Sequence, residues 1–144
     1  MIAVDTNILV YAHNKFSKYH ETAKAEICFL AESSIRWGIP LHCIGEFLRV
    51  ITHRKVFENP FTVDEAVTAL NRLLESPSLK LLYPTSDYLS LLSVAMTEVN
   101  ATGNLVHDAQ IVAVCRGNGV TALLTEDRDF DLFTRFRTKH LNFD

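Results

Sequence analysis

Five acidic residues, Asp5, Glu46, Asp108, Asp127 and Asp129, are the side chains of this sequence whose type and placement suit shared chemistry. Asp5 closes the apolar run Ile2-Ala3-Val4, and Asp127 and Asp129 follow Ala122-Leu123-Leu124. In open α/β sheets, ligands gather outside the carboxyl ends of the strands. Carboxylates converging there repel one another and stay ionised together only when a cation neutralises them. Hard oxygen donors with no Cys or His at ligand spacing point to Mg²⁺ or Mn²⁺.

Each acid also has a plainer reading. Asp5 suits a helix N-cap as well as a ligand crevice. Asp108 lies early in Leu105-Val106-His107-Asp108-Ala109-Gln110-Ile111-Val112-Ala113, where an acid favours the helix dipole, but Ile111 and Val112 aim it at the core edge, where a charge needs a partner. Glu46 shares a helical stripe with His42, Arg49 and His53, and a solvated Glu-Arg pair would explain it alone. The run Thr125-Glu126-Asp127-Arg128-Asp129-Phe130 follows a strand directly. Extended backbone would set Asp127 and Asp129 on one side, with Glu126 and Asp131 facing away as structural acids. Thr6, Asn7 and Thr125 are the expected hydrogen-bonding supports of the carboxylates.

Alternating elements must position these groups. Strands are expected at Met1 to Asp5, Ile35 to Ile39, Leu79 to Tyr83 and Val120 to Thr125. Between them, helical periodicity predicts a helix entered through Thr6-Asn7, then helices at Tyr19 to Glu32, Leu41 to about His53, Val63 to Leu74, Ser86 to about Val99 and Leu105 to Arg116. Thr62 and Glu65 form a capping-box pattern. Strands separated by helices imply an α/β fold with a mostly parallel sheet of four to five strands and helices on both faces, a three-layer α/β/α sandwich. The 144 residues, 48% of them hydrophobic, suit one domain spanning 1-144.

No apolar run approaches a membrane span and no basic region precedes one, so a cytoplasmic protein with no membrane partner is expected. Cys28, Cys43 and Cys115 make an odd count without a C-x-x-C pair and read as buried free thiols. A net charge of −3 is unusual for binding nucleic acid. Setting the five acids aside in a metal site leaves 12 acidic residues against 14 Lys and Arg, a balance of +2 that permits it. His13, His20 and His140 read as surface or satisfied side chains, and His107 as pointing away from Asp108. Phe130, Phe133, Phe136 and Phe143 are expected to cover the sheet edge rather than stack bases.

Four segments carry a resemblance: Val4-Asp5-Thr6-Asn7-Ile8-Leu9-Val10-Tyr11-Ala12, Glu46-Phe47-Leu48-Arg49-Val50, His107-Asp108-Ala109-Gln110-Ile111 and Thr125-Glu126-Asp127-Arg128-Asp129-Phe130. In this order and spacing, the chain resembles the PIN-domain family, and within it the VapC-type toxin ribonucleases of type II toxin-antitoxin systems. The resemblance implies a metal-dependent endoribonuclease that binds Mg²⁺ or Mn²⁺ through Asp5, Glu46, Asp108 and an acid of the last segment, Asp127 or Asp129. It also implies an RNA substrate, a cognate antitoxin lying across the helices, and a homodimer or toxin-antitoxin hetero-oligomer. Cys43-Ile44-Gly45 departs from the family, which more often has a small polar residue next to the Glu.

Hydrolysis through bound metal needs no protein nucleophile, and Arg49, Arg116 and Arg128 are candidate phosphate contacts. An aspartyl phosphatase would show a second acid two residues after Asp5, where Asn7 stands. A phospho-acceptor receiver domain would want a strand-end Lys, whereas Lys80 begins its strand. A catalytically silent PIN fold serving as a protein-binding module would tolerate loss of acids, yet every expected position is filled.

Overall fold

The computed structural model describes residues 1–142. Its strands are β1 (Ile2–Val4), β2 (Trp37–Pro40), β3 (Leu79–Leu82), β4 (Ala122–Leu124) and β5 (Thr138–Lys139). They form one sheet in the order β3-β2-β1-β4-β5, with every neighbouring pair parallel. The chain builds outward from β1 to β3, then returns to add β4 and β5 on the other side. β1 and β4 therefore flank the point where the strand order reverses, which is where open α/β sheets leave a crevice at their carboxyl ends.

The helices are α1 (Thr6–His13), α2 (His20–Glu32), α3 (Leu41–Ile51), α4 (Val63–Leu74), α5 (Tyr88–Val99) and α6 (Leu105–Gly117). One core joins α1 to α4 to the sheet through Ile8, Leu9, Ile27, Phe47 and Ile39. A second, formed by Ala95, Val112, Cys115, Leu123 and Phe130, joins α5 and α6 to the opposite face. The result is the expected three-layer α/β/α sandwich. β2 is buried along its whole length. Its Gly38 leaves room for Leu82, since a Cβ there would lie 2.9 Å from the leucine side chain.

Local signals account for most boundaries. Glu65 N–H donates to Thr62 Oγ1 at 3.2 Å while Thr62 N–H donates to Glu65 Oε1 at 3.0 Å, completing the capping box that starts α4. β2 starts two residues later than its apolar run suggests, because Ile35 is 63% exposed and Trp37 wholly buried. β4 is shorter than the predicted Val120 to Thr125, and α5 starts at Tyr88 rather than Ser86. β5 was not expected: its two residues are held to Leu123 and Leu124 across the sheet, too few to show an alternating pattern.

Phe130 and Phe133 are buried and Phe136 packs against them, as a cover for the sheet, while Phe143 lies outside the described residues. Cys43 and Cys115 are buried thiols, but Cys28 is exposed, on the outer side of α2. Among the described residues, no helix is long and apolar enough to cross a membrane.

Candidate active site

Asp5 follows the last residue of β1 and is both the N-cap of α1 and a wall of the crevice, so the two readings of it coincide. Its Oδ1 accepts the Thr6 N–H at 2.7 Å and the Cys43 thiol at 3.6 Å. Its Oδ2 accepts the Thr125 hydroxyl at 2.7 Å and the Asn7 amide at 3.1 Å. Thr6, Asn7 and Thr125 thus surround the carboxylate. Thr125, wholly buried just past β4, also accepts the Asp127 N–H at 3.0 Å. The Asn7 carbonyl accepts the Glu126 N–H at 3.2 Å, tying the start of α1 to the β4 loop. Burial pushes the Asp5 pKa up, against the downward pull of the Thr125, Thr6 and Cys43 hydrogen bonds, and nearby Asp127 adds to the rise.

Beside Asp5, one carboxylate oxygen from each of Asp108, Asp127 and Asp129 lies within 4.8 Å of the others. Asp108 comes from the first turn of α6. After Asp127 the backbone does not stay extended. It turns into a short 3-10 helix, Arg128–Leu132, capped by Asp127, whose Oδ1 accepts the Asp129 N–H at 2.9 Å. This turn, rather than strand alternation, gathers Asp127 and Asp129. Burial, then the charges of Asp127, Asp5 and Asp129, push the Asp108 pKa up to about 7. Two half-buried acids and an exposed third with oxygens this close, one of them resisting ionisation, form a donor set suited to a hard divalent cation.

A cleft of about 880 Å³ opens over these groups, with Asp5, Glu46, Asp108 and Asp127 in its lining. Asp129 reaches the acid cluster without lining the cleft. Glu46 and Arg49 line it from α3, with Arg49 Nε and one terminal nitrogen donating to the carboxylate at 3.1 and 2.6 Å. The Arg49 hydrogen bond holds the Glu46 pKa below the usual range. His42 joins this stripe but His53 does not, because α3 ends at Ile51 and His53 instead accepts the Lys55 N–H.

The structure revises other expectations. His107 lines the cleft together with Gln110 of α6 and Asn104, the residue that precedes that helix. Their spacing of three from one to the next was the signal available in the sequence. Tyr11 lines the cleft from α1. Of the candidate phosphate contacts, Arg116 is committed to Glu98 and to the Thr134 carbonyl, and Arg128 lies 3.9 Å from Asp131. His13 and His20 are satisfied by the Leu9 and Tyr11 carbonyls. His140 does more: its Nδ1–H donates to the Thr125 carbonyl while Nε2 faces Asp131 at 3.5 Å, and Glu126 accepts the Leu141 N–H. The segment around β5 thereby clasps the loop that carries the acids. The buried Cys43 thiol, at the point of departure noted above, donates to Asp5.

A family model described as the PIN domain matches residues 2–135. Ribonuclease VapC43 of Mycobacterium tuberculosis is 33% identical over 140 residues, covering 97% of this chain and 95% of the relative. Among solved structures, VapBC2 from Rickettsia felis, bound to a DNA fragment from its promoter, aligns with a TM-score of 0.72 at 18% identity, covering 99% of this chain and 100% of that one. Mycobacterium tuberculosis VapC20, described as a sarcin-ricin loop cleaving toxin, aligns with a TM-score of 0.67 at 23% identity, covering 95% and 99%. At these identities the two structures speak for the fold.

Proposed function

The chain belongs to the PIN domain family, and from that premise we propose that it is a metal-dependent endoribonuclease, the toxin of a toxin-antitoxin pair. The observation carrying this reading is the convergence of Asp108, Asp127 and Asp129 within 4.8 Å beside Asp5. Support for RNA as the substrate comes from the relative of 33% identity, which is named a ribonuclease. Support for an antitoxin partner comes from the VapBC complexes of the same fold. A homodimer or a toxin-antitoxin hetero-oligomer is the corresponding assembly.

In this reading Asp5, Asp108, Asp127 and Asp129 would hold Mg²⁺ or Mn²⁺, with Glu46, bonded to Arg49 on the α3 side of the cleft, as the further acid. The bound cation supplies Lewis-acid polarisation of a phosphodiester and an activated water at neutral pH. The protein's own part is positional. Thr6, Asn7, Thr125 and Cys43 supply donors to Asp5, so its carboxylate is oriented before any ligand arrives. Asp127 is fixed through its backbone N–H on Thr125 and its cap of the short helix. Asp108, with a pKa near 7, carries part of a proton at neutral pH that filling the site displaces.

The test is cleavage of a mixed RNA pool by the purified chain with Mg²⁺, Mn²⁺ or EDTA, alongside Asp5→Asn and Asp108→Asn. Cutting that requires metal and disappears in both variants is the expected result. Cutting that survives EDTA, or that persists in Asp108→Asn, would overturn the assignment of the acids.

A further inference from the structure

Of the acids lining the cleft, Glu46 alone is paired with a cation of the chain, among the described residues. Arg49 takes both of its carboxylate oxygens. Among the described residues, Arg49 is also the single Lys or Arg in the cleft lining, against four acids there, and the other lining groups able to carry positive charge are His42 and His107. A surface with that balance repels a polyanion unless some group meets the phosphates. The planar fork that fits a carboxylate bidentately fits a phosphate equally well.

The pair is easily exchanged. Its side chains are 57% and 47% exposed, three residues apart on one helix, where ion pairs are weak. Nothing else in the described hydrogen-bond network holds the guanidinium, in contrast to Arg116, which also grips a backbone carbonyl.

We propose that Arg49 is the phosphate receptor of this cleft and works by exchange: without RNA it holds Glu46, and with RNA it turns to a backbone phosphate and frees Glu46 toward the Asp108, Asp127 and Asp129 cluster. The proposal rests on the ribonuclease reading above. Because binding linkages are reciprocal, RNA and metal then strengthen one another's binding, so the site charges fully only when substrate is present.

Two measurements on the full chain test it, using Arg49→Gln, Arg49→Lys and, as a control on an exposed arginine of α4 outside the cleft, Arg72→Gln. The first is the affinity for a fluorescein-labelled single-stranded RNA oligonucleotide in EDTA, read by anisotropy. Arg49→Gln is expected to weaken binding about tenfold, the scale of one charge-assisted contact. Arg49→Lys is expected to lose less, and Arg72→Gln to stay within about twofold of wild type. The second is calorimetric Mn²⁺ affinity without RNA, expected to rise about two- to threefold in Arg49→Gln as Glu46 is released. RNA affinity in Arg49→Gln equal to that of Arg72→Gln, or no RNA affinity in wild type, overturns the receptor role. Weaker Mn²⁺ binding in Arg49→Gln overturns the exchange and makes Arg49 a bracket for Glu46. Wild type that binds no Mn²⁺ refutes the metal reading itself, while the RNA arm still decides on Arg49.

Discussion

Two arginine-glutamate pairs show how the same chemistry serves different ends in two parts of the molecule. Arg116 and Glu98 join α6 to α5 with bonds of 2.8 and 3.1 Å, and both side chains are about four-fifths buried. Around them, Arg116 donates to the Thr134 carbonyl at 2.7 Å, and Glu98 accepts the Thr134 N–H at 3.3 Å. Phe136 lies beneath the guanidinium, 6.0 Å from ring centroid to its carbon. Both carboxylate oxygens and both terminal guanidinium nitrogens have partners within the fold, so this pair fastens the segment leading to β5. Arg49 and Glu46 are half-exposed, bonded to each other, and open to the cleft. Burial and partner count, not the ion pair itself, separate a fastener from a group available to ligands.

The contrast can be broken by substitution, starting with the largest effect. Asp108→Asn is expected to lower RNA cleavage by about 10³-fold, the scale of removing a principal electrostatic contact to a reacting centre, while leaving the folded state intact. Unfolding midpoints and cleavage rates measured on one preparation would check both halves. Glu98→Gln should do the reverse. Leaving Arg116 buried with a weaker partner is expected to cost about 3 kcal/mol of stability, with Mn²⁺ affinity unchanged in the protein that remains folded. A Glu98→Gln protein as stable as wild type would remove the distinction between the two pairs.

A smaller effect concerns pH. The folded pKa of Asp108, about 7, lies above its unfolded value of about 4. The folded state therefore binds this proton more tightly. The resulting stabilisation is full below about pH 4 and is lost as pH rises through about 7. In EDTA, the unfolding midpoint should fall across that window, and Asp108→Asn should flatten part of the fall, by on the order of 1 kcal/mol after allowing for screening of a half-exposed group. Urea unfolding of both proteins between pH 4 and 8 would reveal it, and parallel curves would show that Asp108 is not the titrating group. Smallest is Arg49→Gln, expected to change metal-free stability by less than about 0.5 kcal/mol. A loss comparable to that of Glu98→Gln would show that Arg49 is a fastener too.

Much of the fold was legible because its signals are local. Short apolar runs ended by polar residues marked four strands, and the Thr62 and Glu65 pattern placed the start of α4. β5 escaped because two residues carry no period and are stabilised by pairing with Leu123 and Leu124, a contact distant in sequence. The placing of Asp5, Asp108 and Asp127 at one cleft was legible from strand ends and helical spacing, whereas Glu46 was assigned to it through the family resemblance, since a solvated pair with Arg49 explains that residue alone. What the sequence did not reveal was geometry made by turns and by long-range bonds. The 3-10 turn after Asp127 replaced the extended backbone, and the end of α3 at Ile51 removed His53 from its stripe. His140 took on the Thr125 carbonyl 15 residues away in sequence, which no local pattern announces.

The most direct measurement is Mn²⁺ binding at pH 7.5, followed by electron paramagnetic resonance, for wild type, Asp108→Asn and Glu98→Gln. Saturable binding by wild type and Glu98→Gln, with binding lost in Asp108→Asn, is the predicted result. Equal binding by Asp108→Asn and wild type, or no binding by wild type, would contradict a metal site built on the cleft acids.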